Sequence, residues 1–301
     1  MRWWYAIKPA SWPKLLVPML LGQCLGIAYG SGPSVVGAAA GLGFTLLGGI
    51  YIVLLNDWAD RDLDAVKRRM FPQSSPKTIP DGVLSEHVVL VASLTAALGA
   101  LSFMLWAQLT LARPGLFVLA VLGVLMLGAY SLPPLRLNYR GGGEAVEMLG
   151  VGLVLPGLNI YLQDAQPDWA RLGPLVGFSL AALASALASG LADEESDRLG
   201  GKCTFTTQYG NAATRASVHA LLVLAALWLA LWALAGAQRL LSPLLAALCL
   251  LLTLRRTYAA SPRAVTGAFA SQRSYKRHLH RGIAAGGVIL GLGALIERSW
   301  T

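Results

Sequence analysis

The stretch from Val35 to Leu55 contains no charged side chain, and eight further apolar runs, two of them interrupted by a single glutamate, recur along the chain. Their approximate bounds are Leu15–Tyr29, Val35–Leu55, Val83–Leu105, Leu116–Leu132, Ala145–Leu162, Leu172–Ala192, Val218–Ala235, Leu240–Leu254 and Ile283–Ile296. A helix of roughly 20 apolar residues crosses the hydrocarbon of a bilayer, and the runs are too continuous for barrel strands of alternating polarity. The expectation is an all-α polytopic membrane protein with nine transmembrane helices, forming a single domain over residues 1–301. Composition decides against a large soluble core: 13% of residues are charged, where a soluble domain carries about 25%.

Loop charge orients the helices. With nine spans, the N-terminus and the segments after the second, fourth, sixth and eighth runs share one side. That side then holds all but Arg113, Arg171, Arg239 and Arg298 of the 24 basic residues. Basic residues accumulate on the cytoplasmic side, so the N-terminus and these segments are expected inside. The net charge of +9 is therefore a topology signal rather than a nucleic-acid footprint. The basic segment from Arg255 to Arg281 can also touch anionic lipid. The first run reads as a retained helix, because nothing near Ala28 resembles a signal cleavage site. Cys24, Cys203 and Cys249 have neither disulfide nor zinc spacing, and His278 and His280 read as solvated in the basic loop.

Two acidic rows stand out on the inner side. The first is Asn56-Asp57-x-x-Asp60-x-x-x-Asp64, and the second is Asp193-x-x-x-Asp197. If the second helix continues past Leu55, then Asp57, Asp60 and Asp64 share one face, as do Asp193 and Asp197 on theirs; Asp62 falls off that face. Rows of carboxylates repel themselves unless a cation lies between them. Hard oxygen ligands without His or Cys select Mg²⁺, which completes its shell with waters and phosphate oxygens. Lys77, Arg136, Arg198 and Lys202 lie on the same side, where positive charge would meet a diphosphate leaving group. One acidic row is commonly a solvated helix end; two on one side, each trailed by basic residues, point to a metal–diphosphate clamp.

At these residues the chain resembles the UbiA superfamily of intramembrane prenyltransferases. Both acidic motifs are complete, Gly201-Lys202-Cys203-Thr204 matches the G-K-x-T that follows the second, and Tyr130-Ser-Leu-Pro-Pro-Leu-Arg136 matches a tyrosine-and-proline stretch. The Arg-Pro-x-x-x-Gly common after the first motif is here Lys77-Thr-Ile-Pro-Asp-Gly82, which keeps charge but loses the arginine fork. The resemblance implies a Mg²⁺-dependent enzyme that ionises a polyprenyl diphosphate and alkylates an acceptor, usually an aromatic small molecule. It implies metal ligation by Asn56, Asp57, Asp60, Asp64, Asp193 and Asp197, and diphosphate binding by Asn56, Lys77, Arg198 and Lys202. Catalytic roles would fall to Asp60, Asp193, Asp197, Lys202, Arg136 and Tyr139. The implied setting is a bacterial inner or plasma membrane, with the active site on the cytoplasmic side. Tyr51 and Trp58 flank the first motif as candidates for stabilising the allylic cation, against ordinary packing.

For the acceptor, Asn138-Tyr-Arg-Gly-Gly-Gly-Glu144 resembles the Y-R-G-x-G-E of members that prenylate 1,4-dihydroxy-2-naphthoate for menaquinone, the favoured reading. There, Arg136, Tyr139 and Arg140 would meet a carboxylate or phenolate. The alternatives are 4-hydroxybenzoate, homogentisate, a tetrapyrrole or a glycerophosphate. Two other classes fit less well. CDP-alcohol phosphotransferases complete their aspartate motif, which begins D-x-x-D-G-x-x-A-R, within one stretch, and that opening is missing from this sequence. Cation transporters place carboxylates near mid-membrane, not at helix ends.

Overall fold

Ser34 opens the first long helix: its hydroxyl accepts the Gly37 N–H at 3.0 Å, satisfying one of the four free donors at a helix start. From there every apolar run becomes helix. The computed structural model describes residues 1–168, 172–235 and 241–299. Arg171 and Arg239, counted above on the outer side, and Leu240, which begins the eighth run, lie outside the described residues.

The helices in chain order are α1 (Arg2–Ala6), α2 (Pro13–Tyr29), α3 (Val35–Ala59), α4 (Arg61–Met70), α5 (Glu86–Leu111) and α6 (Leu116–Ser131). There follow α7 (Gly143–Leu149), a π-helical turn (Gly150–Val154), α8 (Leu155–Gln163), α9 (Pro174–Leu191), α10 (Glu194–Leu199) and α11 (Phe205–Tyr209). The last three are α12 (Asn211–Leu234), α13 (Leu241–Ala260) and α14 (Phe269–Arg298). Among the described residues 7 helices are long and apolar enough to cross a membrane, α7 to α8 counting as one, and α2 and α6 are shorter apolar helices. The chain is an all-α polytopic membrane protein.

Packing explains why these helices need lipid outside. Leu94, Leu98 and Leu109 on α5, Leu122 and Leu125 on α6, and Leu231 on α12 are exposed. A helix that stays apolar on its outward face has hydrocarbon, not water, as its solvent. Inside, small residues let backbones approach, as expected where lipid removes the hydrophobic drive between helices. A Cβ on Gly22 of α2 would lie 2.3 Å from the Pro156 carbonyl oxygen of α8. Polar side chains tie the same helices together. Gln23 donates to Asn159 Oδ1 at 2.7 Å, and Gln163 reaches both Gln23 and the Ser34 carbonyl.

The second helix continues past Leu55, the condition for a shared aspartate face, as far as Ala59, where Asp60, at φ −100 and ψ 11, separates α3 from α4. The i→i−4 bonds nevertheless continue, from Asp60 N to Asn56 O at 2.8 Å and from Asp64 N to Asp60 O at 2.7 Å, so the face is kept across the bend. The basic segment from Arg255 to Arg281 is mostly helix, shared between α13, a 3₁₀ turn at Ser261–Arg263 and α14. His280 consequently lies inside the bundle, 3.3 Å from the Ser185 carbonyl of α9, whereas His278 is exposed.

Candidate active site

The bend at Asp60 brings the two acidic rows together at the ends of α3 and α9. Asp193 heads α10, and the Asp197 N–H bonds the Asp193 carbonyl at 2.8 Å, so those two carboxylates share a face. Opposite them, α4 presents Asp64 and Lys67, both buried, while Asp62 is exposed as its off-face position predicts.

Each of four aspartates is matched by a lysine. Asp57 pairs with Lys8, Asp64 with Lys77, Asp193 with Lys67, and Asp60 with Lys202, the last at 3.0 Å. Asp57 also accepts from Thr78 Oγ1 at 2.5 Å, and Asn56 accepts from Ser131 Oγ. Asp60 accepts the Tyr139 hydroxyl at 3.0 Å on its other oxygen. Over the Tyr139 ring sit the Arg136 guanidinium, 3.7 Å from the centroid, and the Lys202 ammonium at 5.1 Å. Arg136 itself donates to the Ala59 carbonyl at 3.2 Å.

The 136–144 segment joins the rows instead of standing beside them. Tyr139 O accepts from Cys203 N at 3.3 Å, Arg140 and Cys203 form an isolated parallel bridge, and Glu144 accepts the Phe205 N–H at 2.8 Å. Gly141 takes φ +83 in this turn, a left-handed conformation that favours glycine. Arg198 is the predicted residue left out: it is half-exposed and paired at 3.3 Å with Glu194, one turn back on its own helix. Tyr51 is buried in packing against α5 and α6, and its hydroxyl donates to the Val124 carbonyl at 3.3 Å.

The charges are strongly interdependent. Burial works against the Asp193 carboxylate, but Lys67, Lys276 and Lys77 outweigh it and hold its carboxyl below the usual carboxylate range. Burial, reinforced by Asp193, pushes the Asp197 carboxyl up to about 7 despite Lys202 and Lys67. For Lys202, burial disfavours its charge, yet Asp60 and Asp197 raise its pKa overall. Burial likewise lifts Asp64 in spite of its Lys77 partner. One carboxyl of the Asp193–Asp197 pair is thus held ionised and the other is drawn toward neutrality, the response of two acids that share a site without enough cation between them.

The donor set fits a hard divalent cation. It is all carboxylate and amide oxygen, the chemistry of Mg²⁺ rather than Zn²⁺. No preformed cage of three or more His, Cys, Asp or Glu is found among the described residues. Ammonium groups lie against the carboxylates instead.

Sequence reading missed Lys8, Lys67, Thr78 and Lys276. Lys67 carried a readable signal, because it continues the spacing of Asp57, Asp60 and Asp64 along one helical face. Lys8 carried none; it reaches Asp57 from a left-handed turn at φ 46 before α2.

Below the rows opens an apolar cavity of about 250 Å³ between α2, α3, α6 and the α7–α8 segment. Asn56, Tyr130, Lys14 and Glu147 line it together with Gly48, Gly123 and Val151. Lys14 and Glu147 form an ion pair at 2.5 Å in its wall. The π-helical turn contributes Gly150, Val151 and Val154, the kind of local widening frequent at functional sites.

A family model described as the UbiA prenyltransferase family matches residues 15–273. The chain is similar to the chloroplastic chlorophyll synthase of Oryza sativa subsp. japonica, 31% identical over 216 residues that cover 67% of this chain and 54% of that protein. The chain thus spans about half the length of the curated relatives it matches. Among solved structures, a UbiA homologue from Archaeoglobus fulgidus bound to DMAPP and Mg²⁺ superposes with a TM-score of 0.70. It shares 14% identity and covers 96% of this chain and 99% of its own. A digeranylgeranylglyceryl phosphate synthase follows the same fold at a TM-score of 0.65, with 14% identity and 98% of each chain covered.

Proposed function

The chain belongs to the UbiA prenyltransferase family, and on that premise we propose that it transfers a polyprenyl group from a polyprenyl diphosphate to a tetrapyrrole acceptor. The observation that carries the reading is the joining of the two aspartate rows by Lys202 and Tyr139 directly above an apolar cavity. A diphosphate at the rows and a prenyl tail in the cavity satisfy both halves of such a donor. The chlorophyll synthase relatives favour the tetrapyrrole alternative over 1,4-dihydroxy-2-naphthoate. The naphthoate motif loses weight for a physical reason too. Tyr139 and Glu144 are engaged in bonds to Asp60 and Phe205, between the rows.

In this reading the domain covers residues 1–301 with nine transmembrane helices, the N-terminus and both rows lie on the cytoplasmic side, and the membrane is a plasma membrane. Mg²⁺, held by Asn56, Asp57, Asp60, Asp64, Asp193 and Asp197, would supply the positive charge that neutralises the leaving diphosphate. The protein does the rest. Lys202, Lys77 and Lys67 turn from their aspartates toward phosphate oxygens, where charge grows as the allylic C–O bond breaks. Lys8 and Thr78 hold Asp57 in orientation. Arg136 stacks on Tyr139, keeping its hydroxyl on Asp60, and that platform lies beside the point where the allylic carbon leaves its diphosphate. The cavity walls exclude water, so the cation meets the acceptor rather than hydroxide.

The test is product analysis in proteoliposomes with Mg²⁺, geranylgeranyl diphosphate and separate acceptors: chlorophyllide a, 1,4-dihydroxy-2-naphthoate, 4-hydroxybenzoate and homogentisate. A prenylated tetrapyrrole with release of diphosphate is expected. Turnover confined to the naphthoate would restore the menaquinone reading. Cation flux without diphosphate release would remove the enzyme reading altogether.

A further inference from the structure

The outward rows of the last two long helices turn from apolar residues to arginine at the same end. On α13, Leu244, Leu248 and Leu251 are exposed along one face and Arg255 continues it, while Arg256 continues the neighbouring row of Leu245 and Leu252. On α14 the exposed row of Ile296, Leu292 and Ala285 runs on into Arg281 and Arg277. All four arginines are exposed, and none forms an ion pair or hydrogen bond among the described residues. No acidic residue lies between Asp197 and Glu297, so neither helix supplies a carboxylate near them.

Packing sets the four at one height. Gly282 of α14 lies against the Thr253 side chain of α13, Gly293 lies against Ser242, and Cys249 Sγ approaches the Gly282 carbonyl at 3.6 Å. In that antiparallel register Arg281 comes level with Leu254 and Arg277 with Tyr258, bracketing Arg255 and Arg256. At 1.5 Å per residue the four positions fall within a band about 6 Å deep. Tyr258 is exposed at its edge, an amphipathic ring of the kind enriched where hydrocarbon meets water.

Basic loops alone satisfy the charge bias between the two sides of a membrane. These arginines instead prolong hydrocarbon-facing rows, where a long side chain extends its charged head into the phosphate layer. Four like charges in one narrow band repel unless an anion lies among them. A guanidinium meets phosphate through two parallel bonds, which an ammonium cannot do, and Lys276 is the only lysine from Arg255 to Arg281. We propose that the outward face of α13 and α14 binds an anionic phospholipid of the surrounding bilayer whose headgroup carries two phosphates. One phosphate lies at Arg255 and Arg256, the other at Arg277 and Arg281, and the acyl chains run along Leu251, Leu252 and Ala285. The site uses none of the groups in the acidic rows.

The experiment is native mass spectrometry of the detergent-solubilised full chain titrated with cardiolipin, and with phosphatidylglycerol at matched phosphate. Cardiolipin is expected to bind more tightly. Arg255→Gln with Arg256→Gln, or Arg277→Gln with Arg281→Gln, should weaken it roughly fivefold per arginine, the worth of one basic residue at an anionic surface. Arg69→Gln with Arg263→Gln, two exposed basic residues outside these rows, should leave it unchanged. In phosphatidylcholine vesicles containing a photoreactive cardiolipin, the unaltered protein should be labelled in α13 and α14 rather than in α5 and α6, which tests the site even where a variant fails to fold. Equal affinity for the two lipids, unchanged affinity in either arginine pair, or an equal loss in the Arg69 and Arg263 pair would overturn the site. So would labelling spread over α5 and α6, or displacement of cardiolipin by geranylgeranyl diphosphate.

Discussion

The Lys202 ammonium donates to Asp60 Oδ2 at 3.0 Å and so joins two acidic segments that lie far apart in the chain. The same ammonium is within electrostatic reach of Asp197. The second motif's lysine therefore serves the first motif's aspartate, which makes one site of the two rows.

If the rows act together, Asp60→Ala and Asp193→Ala should each lower turnover by at least about 100-fold, the usual loss when one transition-state stabiliser is removed. Both variants should remain extractable as folded protein. Near-wild-type turnover in either, at saturating Mg²⁺, would refute the clamp.

Lys77 stands where related motifs carry arginine, and its ammonium pairs with Asp64. Lys77→Arg should preserve donor binding, while Lys77→Met should raise the donor KM roughly tenfold, about the contribution of one charged hydrogen bond. Donor titrations at fixed acceptor measure this. An unchanged KM in Lys77→Met would take Lys77 out of the diphosphate site.

Chelation gives a third check. EDTA should abolish diphosphate release and added Mg²⁺ restore it, because the carboxylates alone repel a diphosphate. Full activity in EDTA-treated proteoliposomes would exclude the metal.

Gly48 lines the cavity, and a Cβ built on it meets nothing within 4 Å. Gly48→Trp should fill the space the prenyl tail occupies and shift preference toward shorter diphosphates. Competition between geranyl and geranylgeranyl diphosphate reads the shift directly; an unaltered ratio would place the tail elsewhere.

Gly22 tests the packing instead of the chemistry. Alanine there would press its Cβ on the Pro156 backbone, which has no rotamer to give, at a cost of about 1–3 kcal/mol. Gly22→Ala should lower the Tm in detergent, whereas Gly48→Ala should leave it unchanged. Equal melting of the two variants would mean that the α2–α8 approach is looser than described.

The chemistry of the site was more legible than its wiring. Asp57, Asp60 and Asp64 announce themselves by spacing, and Lys67 could have been added on the same periodicity. Arg198 was misleading, because proximity in sequence to Asp197 says nothing about which way a helical side chain points; it turns to Glu194. His280 read as solvated because the charges around it suggested a loop, but helix α14 starts at Phe269 and carries it inward. Charge density in a segment reports composition, not the direction of each side chain.

By itself, the sequence determined that the chain is a bundle of membrane helices, because continuous apolar runs admit no other way to satisfy the backbone in lipid. It also determined that hard-acid chemistry sits at one end of those helices. Only the tertiary structure decided which lysine answers which aspartate, that Tyr139 closes on Asp60, and that Lys14 and Glu147 share a cavity wall. Helix periodicity is local and carries over a few turns, whereas a contact between α2 and α7 depends on how glycines such as Gly22 let distant helices approach.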